Sequence, residues 1–157
     1  MNEKIDKVDV KILNILQENS KITNLELSKK IGLSPAPTLE RVKKLEMSGV
    51  IESYHAVVNP QKVNLFVSTF VLVNVKWSKE NALSSFMDKV RKIDEIIECF
   101  VITGDADILM RVICKDMQSY ENLLFKKLAA ITEVERIKTL MNLSTIKALK
   151  KLPITVE

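Results

Sequence analysis

The sequence predicts an α+β chain in two parts, a small three-helix unit followed by a sheet-and-helix sandwich. Three observations carry that prediction. Two short, well-punctuated helical patterns lie back to back between Thr23 and Gly49. At Phe66 the apolar period changes from helical to alternating. From there the elements run strand, helix, strand, strand, helix, strand.

In the first part, Asp6 is an N-cap for a helix over Lys7–Gln17, with Ile12, Ile15 and Leu16 on one side and Asn19-Ser20 ending it. Thr23-Asn24-Leu25-Glu26 is a capping box, in which hydroxyl and carboxylate each satisfy a free helix-start N–H. That second helix ends at Gly32, a residue able to enter the left-handed conformation. Ser34 then caps a third helix with Pro35 at its first position, and Gly49 closes it. On a helical wheel Leu39, Val42 and Leu45 share one face, while Pro37, Glu40, Arg41 and Lys44 point away. Small Ser28 allows the second and third helices to cross closely. Two capped helices joined by a short Gly-containing break read as a helix-turn-helix, a motif whose second helix enters the DNA major groove.

After Gly49, the β-branched run around Tyr54-His55 predicts a small strand pair, giving a winged-type unit, and Asn59-Pro60 marks a linker. The domains are thus expected at 1–60 and 61–157. In the second, FVSTFVLVNVKW, IIECFVIT, DILMRVIC and VERIKTLMNL are the strands. Ser78 caps a helix carrying Ala82, Phe86 and Val90, with Leu83 and Met87 beside them. Asp116 caps another carrying Tyr120, Leu123, Leu124 and Leu128. Gly104-Asp105 is a turn, and the tail from Thr145 is amphipathic. This order fits a ferredoxin-like βαββαβ sandwich with both helices on one sheet face. Along the first strand Val71, Val73 and Val75 alternate with Leu72 and Asn74. Along the second, Cys99, Val101 and Thr103 alternate with Phe100 and Ile102. Neither face is strongly polar, so a second subunit is expected to cover the open one.

Composition narrows the class. With 46% apolar and 28% charged residues the chain is globular. Its longest apolar run is too short to span a bilayer, and the N-terminus lacks a signal peptide's apolar core, so a cytoplasmic location and no membrane partner are expected. Cys99 and Cys114 lie in apolar stretches without a nearby His, so two buried thiols are expected, with neither disulfide nor metal. His55, the only histidine, reads as a surface or packing residue. No catalytic triad, phosphate loop or cofactor motif is present, so no catalytic residue and no cofactor are assigned. The net charge is +4, but residues 1–60 hold nine Lys/Arg against eight Asp/Glu. Affinity for DNA per subunit is then modest, and assembly is needed to bind well.

Three blocks of the N-terminal part resemble the DNA-binding signature of the Lrp/AsnC family of transcription regulators. They are Leu27-Ser28-Lys29-Lys30-Ile31-Gly32-Leu33-Ser34-Pro35, Leu39-Glu40-Arg41-Val42-Lys43-Lys44-Leu45-Glu46 and Gly49-Val50-Ile51. Glu98-Cys99, Gly104-Asp105-Ala106-Asp107 and Asp116-Met117-Gln118-Ser119-Tyr120 resemble its effector-domain signatures, and the likeness spans roughly residues 4–150. The resemblance implies a homodimer built through the C-terminal sheets, assembly to an octamer, and an amino acid or related metabolite bound between dimers.

For double-stranded DNA, the start of the recognition helix at Ser34, Pro35, Ala36 and Thr38 suits phosphate contact or close approach to a base edge. Arg41 is the expected base reader, through guanine O6 and N7, and Lys44 a phosphate contact. Glu40 accepts from cytosine or pairs with Lys43 or Lys44. On this reading Arg41→Ala removes sequence preference while Lys44→Ala weakens all DNA alike. For the effector, Thr103, Gly104, Asp105 and Asp107 form a loop where a carboxylate can receive an ammonium group. The start of the next helix, at Met117-Gln118, offers N–H groups to a carboxylate. By resemblance Val101, Asp107, Met117 and Leu140 lie around the pocket, and Ala106 stands where many members carry an aromatic.

Two other readings exist. One is a tetrapyrrole (sirohaem) decarboxylase-like enzyme of the same architecture, poorly served by a chain whose one His lies in the linker. The other is a metabolite-sensing assembly that does not bind DNA, which the near-neutral N-terminal part allows.

Overall fold

The computed structural model describes residues 5–76, 82–148 and 151–155. By contact the chain forms two units, one comprising Met1–Val57 with Ile146–Glu157 and the other Val58–Thr145. The sequence reading keeps 61–157 together, whereas the tail's contacts are with the first unit.

That unit is built on α1 (Lys7–Glu18), α2 (Asn24–Ile31) and α3 (Pro35–Met47). Asp6 Oδ1 accepts the Val8 and Asp9 N–H groups, and Asp9 returns the favour by accepting the Asp6 N–H at 3.1 Å. The expected box at α2 is also present, with the Glu26 N–H donating to Thr23 Oγ1 at 3.2 Å and the Thr23 N–H to Glu26 Oε2 at 3.1 Å. Gly32 ends α2 at φ +79° and, with Leu33 and Ser34, makes the three-residue break before α3. Ser34 is the N-cap of α3, but its hydroxyl makes no capping bond. Instead its carbonyl accepts the Thr38 hydroxyl at 2.9 Å. Asn24 Nδ2 donates to the Pro35 carbonyl at 2.8 Å, tying the start of α2 to the start of α3. At the far end Gly49 has φ +74°, and the Ile51 N–H turns back to the Leu45 carbonyl.

The three helices close over Ile12, Leu13, Leu27, Ile31 and Leu45, with Val42, Leu33 and Ile154 packed alongside. Ser28 is 1% exposed at the crossing, its hydroxyl donating to the Leu25 carbonyl. From the tail, the Leu152 N–H donates to Gln17 Oε1 and Lys151 pairs with Glu18. The strand pair expected around Tyr54-His55 is not formed. Residues 52–59 are irregular and exposed, because this stretch has neither a turn nor a second strand of its own to pair with. His55 is exposed and hydrogen-bonded to Ser53, and Tyr54 donates to Glu46 at 2.8 Å.

In the second unit β1 (Val67–Val75), α4 (Ala82–Val90), β2 (Ile96–Val101), β3 (Ile108–Cys114), α5 (Met117–Asn122) and β4 (Val134–Met141) follow the expected order. The sheet order is β2-β3-β1-β4, with each neighbouring pair antiparallel. This is the ferredoxin-like sandwich. Ser78 lies outside the described residues, as does the side chain of Ala82.

One sheet face carries Val71, Val73, Val75, Ile108, Met110 and Val112, all buried against Phe86 and Val90 of α4 and Tyr120, Leu123 and Leu128 beyond β3. The helix after Asn122 widens into a π-helical turn, Leu123–Leu128, in which the Ala129 N–H reaches the Leu124 carbonyl. In a regular helix residues five apart lie about 140° around the axis. The wider i→i+5 turn brings Leu123 and Leu128 back toward one side, and both are fully buried. Glu133 fastens this layer, accepting from Lys89 Nζ at 2.6 Å and from Ser85 at 2.8 Å. The Lys89 and Ser85 bonds hold its carboxyl down at about 2.

Only one of the cysteines is buried. Cys114 is inside, but Cys99 is exposed, because β2 is an edge strand that the helices do not cover.

Candidate functional sites

In the first unit the buried side of α3 is defined by Thr38 and Leu45, with Arg41 and Val42 half-buried beside them. The expected face was therefore turned. Leu39, assigned to the core, is 43% exposed, and Thr38, assigned to DNA, is wholly buried with its hydroxyl spent on the Ser34 carbonyl. Arg41 also points inward. Its Nη1 donates to Asp6 Oδ2 and to Asp9 Oδ1, each at 2.7 Å. The Asp9 N–H and the Arg41 guanidinium hold the Asp6 carboxyl below its ordinary range. The two carboxylates that cap α1 thus hold α3 in place, and Arg41 is a clamp between helices rather than a side chain aimed outward.

What α3 turns outward is Ala36, Pro37, Leu39, Glu40, Lys43 and Lys44, all exposed, on the face away from Thr38 and Leu45, with Pro35 exposed at the helix start. Of the sequence-assigned residues, Ser34, Pro35, Ala36 and Lys44 are exposed. Lys43 and Leu39 were missed as surface groups. The signal that could have found them is Thr38, whose hydroxyl can bond the carbonyl four residues back and so needs no solvent.

In the second unit the β2–β3 hairpin holds Val101, Thr103, Gly104, Asp105 and Asp107 together at one end of the sheet. Gly104 has φ +127°, a conformation that L side chains rarely adopt. The loop is pinned to β1. Asp107 Oδ2 accepts the Val75 N–H at 2.8 Å where the β1–β4 register shifts, the Asp107 N–H donates to the Val73 carbonyl, and Asn74 Nδ2 donates to the Asp105 carbonyl at 3.1 Å. One Asp107 oxygen is thereby committed to the backbone. Asp105, exposed, is the carboxylate that faces outward.

Met117 and Leu140 are elsewhere. Ile108 pairs with Val73 at the hairpin end and Cys114 with Val67 at the other. Those rows are separated by about 20 Å. Met117 follows Cys114, and Leu140 pairs with Phe70 midway between those rows, on β4 at the opposite sheet edge from β2. The start of α5 is moreover occupied by Asp116, whose Oδ1 accepts the Ser119 N–H at 2.7 Å, so it already holds a carboxylate. One copy of the chain therefore gathers five of the seven predicted effector residues and leaves two apart.

On the sheet face away from the helices two neighbouring rows carry apolar groups, Phe70 beside Leu140 in one and Leu72, Leu109 and Phe100 in the other, with Arg111 and Lys138 completing them. Phe100 is 50% and Leu140 42% exposed. Glu98 and Arg111 pair at 3.2 Å on the same face.

Family models match both units, a winged helix-turn-helix DNA-binding model over residues 5–52 and the Lrp/AsnC ligand binding domain over 68–152. The Leucine-responsive regulatory protein of Haemophilus influenzae is 38% identical over 93% of this chain and 88% of its own length. That of Escherichia coli is 36% identical over 96% and 92%. The chain belongs to the Lrp/AsnC family.

Solved structures of Lrp/AsnC regulators agree in fold. A transcriptional regulator from Neisseria meningitidis, crystallised as its L-Met complex, is 36% identical with a TM-score of 0.92, covering 96% of this chain and 97% of that one. An AsnC family regulator from Agrobacterium tumefaciens is 34% identical with a TM-score of 0.89, covering 94% and 96%. This Lrp/AsnC chain is thus a transcription regulator that joins a helix-turn-helix DNA-binding domain to a ligand-binding one. Among the described residues no helix is long and apolar enough to cross a membrane, and no cluster of three or more metal-ligating groups occurs.

Proposed function

We propose that this regulator is a non-enzymatic, cytoplasmic homo-oligomer that contacts double-stranded DNA through the outer face of α3 and binds an amino acid between copies. DNA contact involves Pro35 and Ala36 at the start of α3, Ser34 just before it, and Lys44 as a phosphate partner. The observation that carries assembly is the apolar patch of Phe70, Leu72, Leu109, Phe100 and Leu140 over two neighbouring rows of the open sheet face. Exposed apolar groups contiguous across four strands are costly in water, and a second copy removes them from it. Dimers then associate further, toward an octamer.

The effector site is composite. The hairpin group of one copy, with outward-facing Asp105 for an ammonium, meets Met117 and Leu140 of another. The placement of Met117 about 20 Å along the sheet from the hairpin, and of Leu140 on the opposite edge strand, supports this, as does the L-Met complex of the Neisseria relative. Such a ligand acts by linkage, shifting assembly or DNA affinity only as far as it prefers one state.

Thermal melting of the full chain against the twenty amino acids tests the effector reading. A ligand at 100 times its Kd stabilises by about 2.7 kcal/mol. If none of the twenty moves the transition, the amino-acid assignment fails. Sedimentation of Phe70→Asp tests assembly, since a charge within the patch dissociates copies while leaving the helix-side core intact. A variant that sediments like the parent rules out this face as the interface.

A further inference from the structure

We infer that the recognition helix reads the 5-methyl groups of thymine through Leu39, with Ala36 beside it, rather than guanine through Arg41. This rests on the reading that the outer face of α3 lies in the major groove. The helix carries no Asn or Gln, and its single Arg is Arg41. Arg41 Nη1 is held between Asp6 and Asp9, which draws the guanidinium toward α1 and away from the outer face of α3.

The outward N-terminal half offers Pro35, Ala36, Pro37, Leu39 and Glu40. In a helix-turn-helix it is this half of the second helix that meets the base edges. Leu39 is 43% exposed and does not belong to the apolar cluster of its unit, which takes Leu33, Val42 and Leu45 instead. An apolar side chain at a major-groove base edge has one favourable partner there, the thymine methyl. Ala36 lies one turn earlier on the same side, three residues before Leu39. Glu40, next to them, accepts from a cytosine amino group and repels the acceptor-rich edge of guanine. The face is therefore selective by chemistry although it contains no classical hydrogen-bonding fork.

The test uses a duplex that the wild-type chain selects from a random pool, resynthesised with dU in place of dT. This change deletes the methyl groups and leaves every hydrogen-bonding edge in place. Each methyl lost from an apolar contact should raise Kd about fourfold. A dimer making one such contact in each half-site should then bind the dU duplex more than tenfold more weakly. Leu39→Ala, an exposed substitution whose folding is checked by circular dichroism, should weaken binding to the dT duplex and bind dT and dU duplexes nearly alike. If wild type binds both duplexes equally, the methyl reading is overturned while DNA contact stands. If Leu39→Ala still prefers dT, the methyls are read by another residue and the assignment falls. If no duplex is selected at low salt, the placement of α3 on DNA falls too.

Discussion

Arg41 gives the sharpest prediction, because the structure reverses what its position on a helical wheel implies. Arg41→Ala removes two 2.7 Å contacts made by one nitrogen, to Asp6 with 48% and Asp9 with 15% of the side chain exposed. Exposed ion pairs contribute roughly 0.2–1 kcal/mol each, the Asp6 pair toward the low end and the better-shielded Asp9 pair toward the high end, so about 1 kcal/mol is lost in total. For a domain of this size that lowers Tm by about 4–8 °C. The helix start is affected as well, since Asp6 caps α1 with the same carboxylate that receives Arg41. DNA affinity should fall by a similar factor on selected and random duplexes, because α3 is loosened rather than stripped of a base contact. The pH dependence has a definite sign. The Asp6 carboxyl is lowered in the fold from 3.8, so its contribution is full above that value and disappears as pH falls through the folded one. The stability gap between parent and variant should therefore close in acid. Unchanged Tm together with loss of binding confined to the selected duplex would refute the clamp and restore Arg41 as a base reader.

Three further outcomes follow from the second unit. Glu133→Gln should lower its urea midpoint at neutral pH, as Lys89 loses its anionic partner. With a folded value of about 2 against 4.5 unfolded, the gap between parent and variant is complete above pH 4.5 and shrinks toward pH 2; a gap constant over that range contradicts the ion pair. Gly104→Ala meets no atom within 4 Å, so its cost is backbone strain alone, on the order of 1–3 kcal/mol at this φ. Denaturant unfolding should show that loss, and a neutral result would mean the loop relaxes freely. Asp107→Asn should weaken the bond to the Val75 N–H and raise amide exchange at Val75, whereas unchanged exchange would show that Asp107 does not hold the hairpin.

Much of this architecture is written in local sequence. Asp6, the Thr23–Glu26 box, Gly32 and Pro35 fix helix ends by bonds within a few residues, and such bonds need no knowledge of the rest of the chain. The alternation in FVSTFVLVNV and DILMRVIC likewise fixes strands and their inner face, because a period of two is a property of the backbone. Five of the seven effector residues were legible as a group since a hairpin joins them directly. Tertiary structure decided the rest. A turn-by-turn wheel cannot tell which side of α3 meets α1; Asp6 and Asp9, more than thirty residues away, take the Arg41 guanidinium, and that contact turns Thr38 inward and Leu39 outward. The exposure of Cys99 follows from β2 lying at the sheet edge, and strand order is set by pairing between distant segments. The gap between Met117 and Gly104 has the same origin: sequence brings residues into one list, but a strand about 20 Å long sets them at opposite ends of a sheet.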